Sequence, residues 1–495
     1  MRRDWARLSA GGAVGKGIGA AREILLARFF GTGAVADAYR GSLTLTLSPV
    51  HLLTTKAVQN CFVPLYARYA SSNPAKGRAL FQSLLLFFVA LGLLLAGALA
   101  LFAGPLVEFV LRGFDPERSL LAERMLRIFA AGVPFYIYCS VLGALGAAQK
   151  DFLIPSLRPG LQNLGMTALI VVAARRGEPA LAAYGFTATY AALALWATAH
   201  LARRGLLPLR PALDRELARE AWARLWVLLR PLVVLSLLVE ANILIERNIT
   251  SRIGPGSVAG VDYARFLTES VHFLLAVPLG LLGLAYFADL GDRETSERAD
   301  RMVALLLLAT VPISVFLAIN GRDVLSILYL RGKFDEHSLA ITGRALIGLG
   351  AGLWAFSASH VLQRVLNARL RNGEVLRGEA LSVALNVACN VLLYRSLGVL
   401  AIGIGAAVGP LASFLYYLRR IGPGDGTLRR TALHLLAAAP FYAFLSLAAG
   451  RLAGGGAIGL ATQCVLAAGF WAAVFSARAE TRGLILEKAG RRDHR

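Results

Sequence analysis

Three observations predict an all-α integral membrane fold of about fourteen transmembrane helices. Hydrophobic residues make up 57% of the 495-residue chain and charged residues only 17%, too little polar surface to cover the core of a water-soluble globule. Apolar runs of roughly 20 residues, the length that crosses a hydrocarbon slab about 30 Å thick, recur from one end to the other. The intervening loops are short and leave no room for a separate soluble domain.

Apolar runs, punctuated by Gly, Pro and charge, place helices near 8–30, 35–67, 79–103, 119–147, 156–174, 180–202, 221–250, 258–288, 299–319, 338–367, 375–394, 398–418, 430–450 and 455–476. The first follows Met1-Arg2-Arg3 and carries Lys16, Arg22 and Glu23 in a Gly-rich run, so it reads as a retained transmembrane helix rather than a cleaved signal. Gly11, Gly15 and Gly19 recur there at the four-residue spacing that lets two helices approach closely. With the N-terminus cytoplasmic, about 30 Lys and Arg fall on that side and about 10 on the other, as the positive-inside rule requires. Both termini are then cytoplasmic. The net charge of +22 is mainly topological, since its bases are scattered through short loops and form no nucleic-acid-binding face. Cys61, Cys139, Cys389 and Cys464 stand far apart in apolar segments, without the spacing of a disulfide framework or a metal site.

An internal repeat organises the chain. Gly31-Thr32-Gly33-Ala34-Val35-Ala36 with Asp37-Ala38-Tyr39-Arg40 returns as Gly254-Pro255-Gly256-Ser257-Val258-Ala259 with Asp262-Tyr263-Ala264-Arg265. Arg112-Gly113-Phe114-Asp115 returns as Arg331-Gly332-Lys333-Phe334-Asp335 at nearly the same offset. A duplicated unit of six helices ends on the side where it began, so its copies are related by a pseudo-twofold axis along the membrane normal and enclose a central cavity. The expected organisation is an N-terminal lobe over 1–204, a C-terminal lobe over 205–420, and two extra helices with a basic cytoplasmic tail over 421–495. The extra pair is either a lipid-facing groove or structural padding.

Charged groups within membrane helices are costly and mark candidate functional positions. Asp37, Arg40, Thr44, Ser48, His51 and Thr55 recur at helical spacing on one face of the second segment, followed by Lys56. Asp262, Arg265, Glu269 and His272 do the same on the eighth, and the first adds Lys16, Arg22, Glu23 and Arg28. Two repeat-related polar stripes are economically housed in one water-filled cavity. Its basic excess, drawn from Lys16, Arg22, Arg40, Lys56 and Arg265, suits a phosphate or diphosphate, which Arg grips through a bidentate fork. Asp37 and Arg40 can alternatively pair with one another near a helix end. Asn242 with Glu246, and Asn386 with Asn390, each stand one turn apart and offer oxygen donors for a coupling Na⁺, or else serve as hydrogen-bonding groups between helices. No nucleophile–base pair, phosphate-cradling Gly loop or metal cluster stands out, which argues against an enzyme.

The run Gly19-Ala20-Ala21-Arg22-Glu23-Ile24-Leu25-Leu26-Ala27-Arg28-Phe29-Phe30-Gly31, with Ala36-Asp37-Ala38-Tyr39 and Phe62-Val63-Pro64, resembles the opening of the MurJ (MviN) lipid II flippase family. Tyr263-Ala264, Pro278-Leu279-Gly280 and Gly332-Lys333-Phe334 extend the resemblance over about 10–420. The family lies in the multidrug/oligosaccharidyl-lipid/polysaccharide exporter (MOP) superfamily, whose two six-helix lobes match the repeat. The resemblance implies a V-shaped molecule working by alternating access, with cavity Arg residues on the diphosphate of the undecaprenyl-linked precursor. Arg22 matches a family Arg, Glu23 replaces an Asp, Lys16 stands where another Arg is usual, and Glu246 occupies an acidic position near the family's sodium site. The chain departs from the pattern at Leu47-Ser48-Pro49-Val50-His51, where His51 stands in place of an Arg, and at Ala264-Arg265-Phe266, where the charge moves by one residue.

The expectation is therefore a monomeric flippase of the bacterial inner membrane that moves lipid II, the undecaprenyl-diphosphate-linked peptidoglycan precursor, to the periplasmic leaflet without a cofactor beyond a candidate Na⁺. Its cavity would comprise Lys16, Arg22, Glu23, Asp37, Arg40, His51, Lys56, Arg265 and Glu269, with Glu246, Asn386 and Asn390 at the ion. Alternatives are a flippase for another polyprenyl-linked oligosaccharide and a multidrug antiporter, though the latter calls for an acidic cavity.

Overall fold

The computed structural model describes residues 2–54, 62–208, 215–287, 290–453 and 456–477. Among them the chain is all-α, in sixteen helices: α1 Arg2–Phe30, α2 Ala34–Thr54, α3 Val63–Ser72, α4 Pro74–Leu101, α5 Ala103–Val110, α6 Pro116–Ala148, α7 Leu153–Arg176, α8 Leu181–Arg203, α9 Arg215–Ser251, α10 Ser257–Tyr286, α11 Asp292–Tyr329, α12 Glu336–Ala368, α13 Asn372–Leu397, α14 Val399–Ile421, α15 Thr427–Ala453 and α16 Gly456–Ser476. Nine of these are long and apolar enough to cross a membrane, by length and composition. The helices outside that set include α1, α2 and α9, whose interiors carry charged side chains.

The boundaries differ from the sequence reading in several places, most at α11, which runs over Asp292–Tyr329 rather than 299–319. Of the segment expected over 35–67, α2 covers Ala34–Thr54 and α3 covers Val63–Ser72, with Pro64 in the first turn of α3, where a missing N–H costs nothing. A short helix, α5, continues the run expected to end at 103. Lys56, Thr55 and Cys61 lie outside the described residues.

The chain divides into two units. Unit 1 comprises 1–259 with the loop Arg331–Phe334, and unit 2 comprises Gly260–Leu330 and Asp335–Arg495. Unit 1 is centred on α6, most of which is buried against α2, α4 and α8, while α1 packs along α7. A Cβ on Gly15 would lie 3.2 Å from Pro159 Cβ, and one on Gly19 would lie 3.1 Å from Asn163 Nδ2. The expected close approach therefore occurs between α1 and α7, and Asn163 Nδ2 donates to the Gly15 carbonyl at 3.1 Å. Unit 2 is centred on α12, which packs on α11 and α14; α15 and α16 attach to α11.

The two Arg-Gly loops do the same local work. Asp115 caps α6 by accepting from the Arg118 N–H at 2.8 Å, and Asp335 caps α12 by accepting from the Ser338 N–H at 2.9 Å. In unit 1 the second loop docks on the end of α1, where the Lys333 N–H donates to the Arg28 carbonyl at 2.8 Å. Gly332 makes this possible with φ +64° and no side chain, since a Cβ there would collide with that carbonyl.

Candidate substrate-binding site

The polar face of α2 is shared among three sets of partners, all within unit 1. At its start Asp37, fully buried, accepts from the N–H groups of Gly256 at 2.7 Å and Ala259 at 2.8 Å, which open α10. A carboxylate at a helix N-terminus satisfies orphan donors and meets the positive end of the dipole. Arg118 Nη1 adds a third contact at 3.3 Å, while its Nε donates to Asp115 at 2.7 Å. Asp37 thus ties α2, α6 and the start of α10 together.

One turn further along α2, Arg40 reaches α1. Its Nη2 pairs with Glu23 Oε2, and Arg22 Nη2 pairs with the other carboxylate oxygen at 2.7 Å. Glu23 is 2% exposed and holds both guanidiniums on its one carboxylate. Arg22 is half-buried, and its Nη1 also contacts Met166 Sδ at 3.7 Å on α7. Lys16 is exposed on the same helix, about two turns before Arg22.

Near the far end of α2, His51 is half-exposed and lies 3.9 Å from Glu240 of α9 through Nδ1. Its ring lies 6.3 Å from that of Tyr136. Between these sets, Arg247 of α9 donates through Nε to Thr44 Oγ1 at 3.1 Å.

In unit 2, Arg265 is half-buried on α10 and Glu269 is exposed. His272 is buried, with Nδ1 3.2 Å from Ser357 Oγ and its ring 5.0 Å from that of His360. Of the ion candidates, Glu246 is buried in unit 1, whereas Asn386 and Asn390 belong to unit 2 and bond to each other at 2.9 Å. Asn390 Oδ1 and Asn242 Oδ1 are buried with no hydrogen-bond partner among the described residues. Among the described residues no cluster of three or more His, Cys, Asp or Glu forms a metal centre.

Sequence reasoning missed Arg118, Glu240, Met166 and Arg247 as partners of this face. The Asp-x-x-Arg spacing of Asp115 and Arg118 was a usable signal; the others are brought in only by packing.

Two guanidiniums sharing one buried carboxylate on α1 and α2 offer the forked donors that an anionic lipid headgroup takes. The family model described as Lipid II flippase MurJ matches residues 26–465. The chain belongs to the MurJ lipid II flippase family. Relatives include a probable lipid II flippase MurJ of Thermotoga maritima, 23% identical and aligned over 82% of either chain. A lipid II flippase MurJ of Burkholderia cenocepacia is 24% identical over 83% of each. Among solved structures, a lipid II flippase MurJ in an inward closed conformation aligns with TM-score 0.82 at 16% identity, over 95% of this chain and 98% of its own. An inward-facing MATE family transporter of the MOP superfamily aligns with TM-score 0.64 at 14% identity, over 84% and 95%. The fold is thus that of the solved MurJ structure, and the MATE transporter shares it in coarser form.

Proposed function

We propose that this chain is a lipid II flippase, carrying the undecaprenyl-diphosphate-linked peptidoglycan precursor from the cytoplasmic to the periplasmic leaflet of the bacterial inner membrane by alternating access. The observation that carries the reading is the Arg22–Glu23–Arg40 cluster on a chain of the MurJ family. The diphosphate displaces Glu23 from the two guanidiniums, which then grip it by their forks, with exposed Lys16 as a further point charge. Glu23 holds the empty site together and lowers the cost of two buried cations between turnovers. Asp37 acts apart from the substrate, as a latch between the starts of α2 and α10 that opens and closes with the cycle.

The working form in this reading is a monomer with both termini cytoplasmic, and the coupling ion is Na⁺. Within unit 2, Asn390 buries an amide oxygen with no hydrogen-bond partner among the described residues, a ligand that suits a hard cation. The test is complementation of a bacterium depleted of its own lipid II flippase, with lipid II exposure at the outer leaflet as the readout. Rescue by the wild type and loss of rescue in Arg22→Ala is the expected result. Membrane insertion without rescue would instead favour another polyprenyl-linked glycan, a reading that the His51 departure supports.

A further inference from the structure

The α7 helix carries a second cation that the proposed diphosphate site does not use. Arg158, Gln162 and Met166 follow one another at four-residue spacing and so form one stripe. Met166 contacts Arg22 at one end, and Gln162 Nε2 contacts Met166 Sδ at 3.8 Å. At the other end the Arg158 guanidinium lies over the rings of Tyr136, 4.5 Å from the centroid, and Tyr190, 5.3 Å away. Both rings are buried, Tyr190 completely. Tyr190 Oη is fixed by donating to Gln162 Oε1 at 2.6 Å. Arg158 itself is half-buried and, among the described residues, pairs with no carboxylate.

This arrangement is built for a ligand rather than for a helix contact. Every cation of the Arg22 cluster shares Glu23, whereas Arg158 keeps its full charge. Ring faces hold the guanidinium by its plane; Tyr190 Oη takes one of its N–H groups, and the remaining in-plane donors match one carboxylate. Gln162 Nε2, engaged among the described residues only with a thioether, is a donor that readily changes partner. A diphosphate carries more charge than one guanidinium neutralises and fits the Arg22 cluster better. From Met166 to Arg158 the stripe runs about 12 Å along the helix, a span on the scale of a sugar-peptide headgroup beyond its diphosphate.

We propose that Arg158, framed by Tyr136 and Tyr190 and assisted by Gln162, is a second anion subsite that takes a carboxylate of the peptide-bearing headgroup while Arg22 and Arg40 hold the diphosphate. The proposal rests on the lipid II reading above. It assigns specificity for the headgroup to α7 and general affinity for polyprenyl diphosphates to α1 and α2.

The test measures binding of the purified full-length chain in nanodiscs to lipid II, to undecaprenyl diphosphate, and to lipid II with amidated peptide carboxylates. Arg158→Gln is expected to weaken lipid II binding about tenfold or more, the worth of one charge-assisted contact, and to leave undecaprenyl diphosphate binding unchanged. The amidated lipid should bind the wild type as weakly as lipid II binds the variant. Arg158→Lys, which keeps the charge without the fork, should fall between, and it carries the test if Arg158→Gln does not fold. Equal loss for both lipids, or no loss for either, overturns the subsite. Tight wild-type binding of the amidated lipid overturns the carboxylate assignment. Wild-type protein that binds undecaprenyl diphosphate but not lipid II overturns the functional reading as well, and so separates the two failures.

Discussion

Unit 1 and unit 2 bury polar groups in different ways. In unit 1 the buried groups are charged: Glu23 lies between Arg22 and Arg40, and Asp37 lies among two backbone N–H groups and Arg118. Apart from Asp300 beside the start of α15, the buried network between α11 and the last two helices of unit 2 is neutral: Asn320 Nδ2 donates to Ser446 Oγ at 3.0 Å, Ser446 Oγ donates to Gln463 Oε1 at 2.8 Å, and Gln463 Nε2 returns to the Ser446 carbonyl at 2.8 Å. A neutral network is a modest contribution to helix packing and asks for nothing else. Buried charges cost more than well-packed apolar groups of the same volume, so their presence points to a use for the charge itself. The difference teaches where to look for transport and where to look for scaffold.

The contrast is open to test by substitution. Glu23→Ala should have the largest effect: two guanidiniums lose their shared counter-charge, destabilising the protein by about 3–5 kcal/mol in detergent unfolding and abolishing transport. Glu23→Gln, which keeps the shape, should recover part of the stability but not the transport. Asp37→Asn comes next. It keeps one acceptor for the α10 N–H groups but leaves the second N–H and Arg118 poorly matched, at a cost of about 2 kcal/mol. Its signature is altered accessibility at the ends of α2 and α10, measured by cysteine labelling, with undecaprenyl diphosphate binding unchanged.

Ser446→Ala should cost about 1 kcal/mol and leave lipid II exposure intact. Loss of transport with full stability there would break the comparison, by giving α15 and α16 a direct role. The smallest effect is in pH. Asp335 is held below the usual carboxylate range chiefly by the Ser338 backbone N–H, and Asp115 chiefly by that of Arg118. A depressed pKa in the folded state contributes stability above the unfolded value, near 3.8, and that contribution is lost as pH falls through the folded value. Stability should therefore be flat through neutral pH and decline slightly below about pH 4, a decline that Asp335→Asn reduces.

Much of the fold was legible in the sequence because a bilayer punishes unsatisfied backbone groups, so apolar length alone implies helices. Charges interrupt the apolar runs of α1, α2 and α9, so that the same positions that weaken the apolar pattern mark the candidate site. The periodicity of Asp37, Arg40 and His51 on α2 was readable, as were Arg22 and Glu23. Their partners were not. A stripe on one helix states which groups share a face, but the neighbouring helix decides which of them are neutralised.

The sequence by itself determined the all-α membrane class, the duplicated Arg-Gly loops, the Gly spacing on α1 and the basic excess, because each is a local pattern or a sum over composition. Only the tertiary structure decided that Asp37 is spent on the start of α10, that Glu23 bridges Arg22 to Arg40, and that Arg158 has ring faces in place of a carboxylate. Those outcomes depend on contacts between residues up to 222 positions apart. Contacts at such separation are set by helix packing, to which periodicity along one segment is blind.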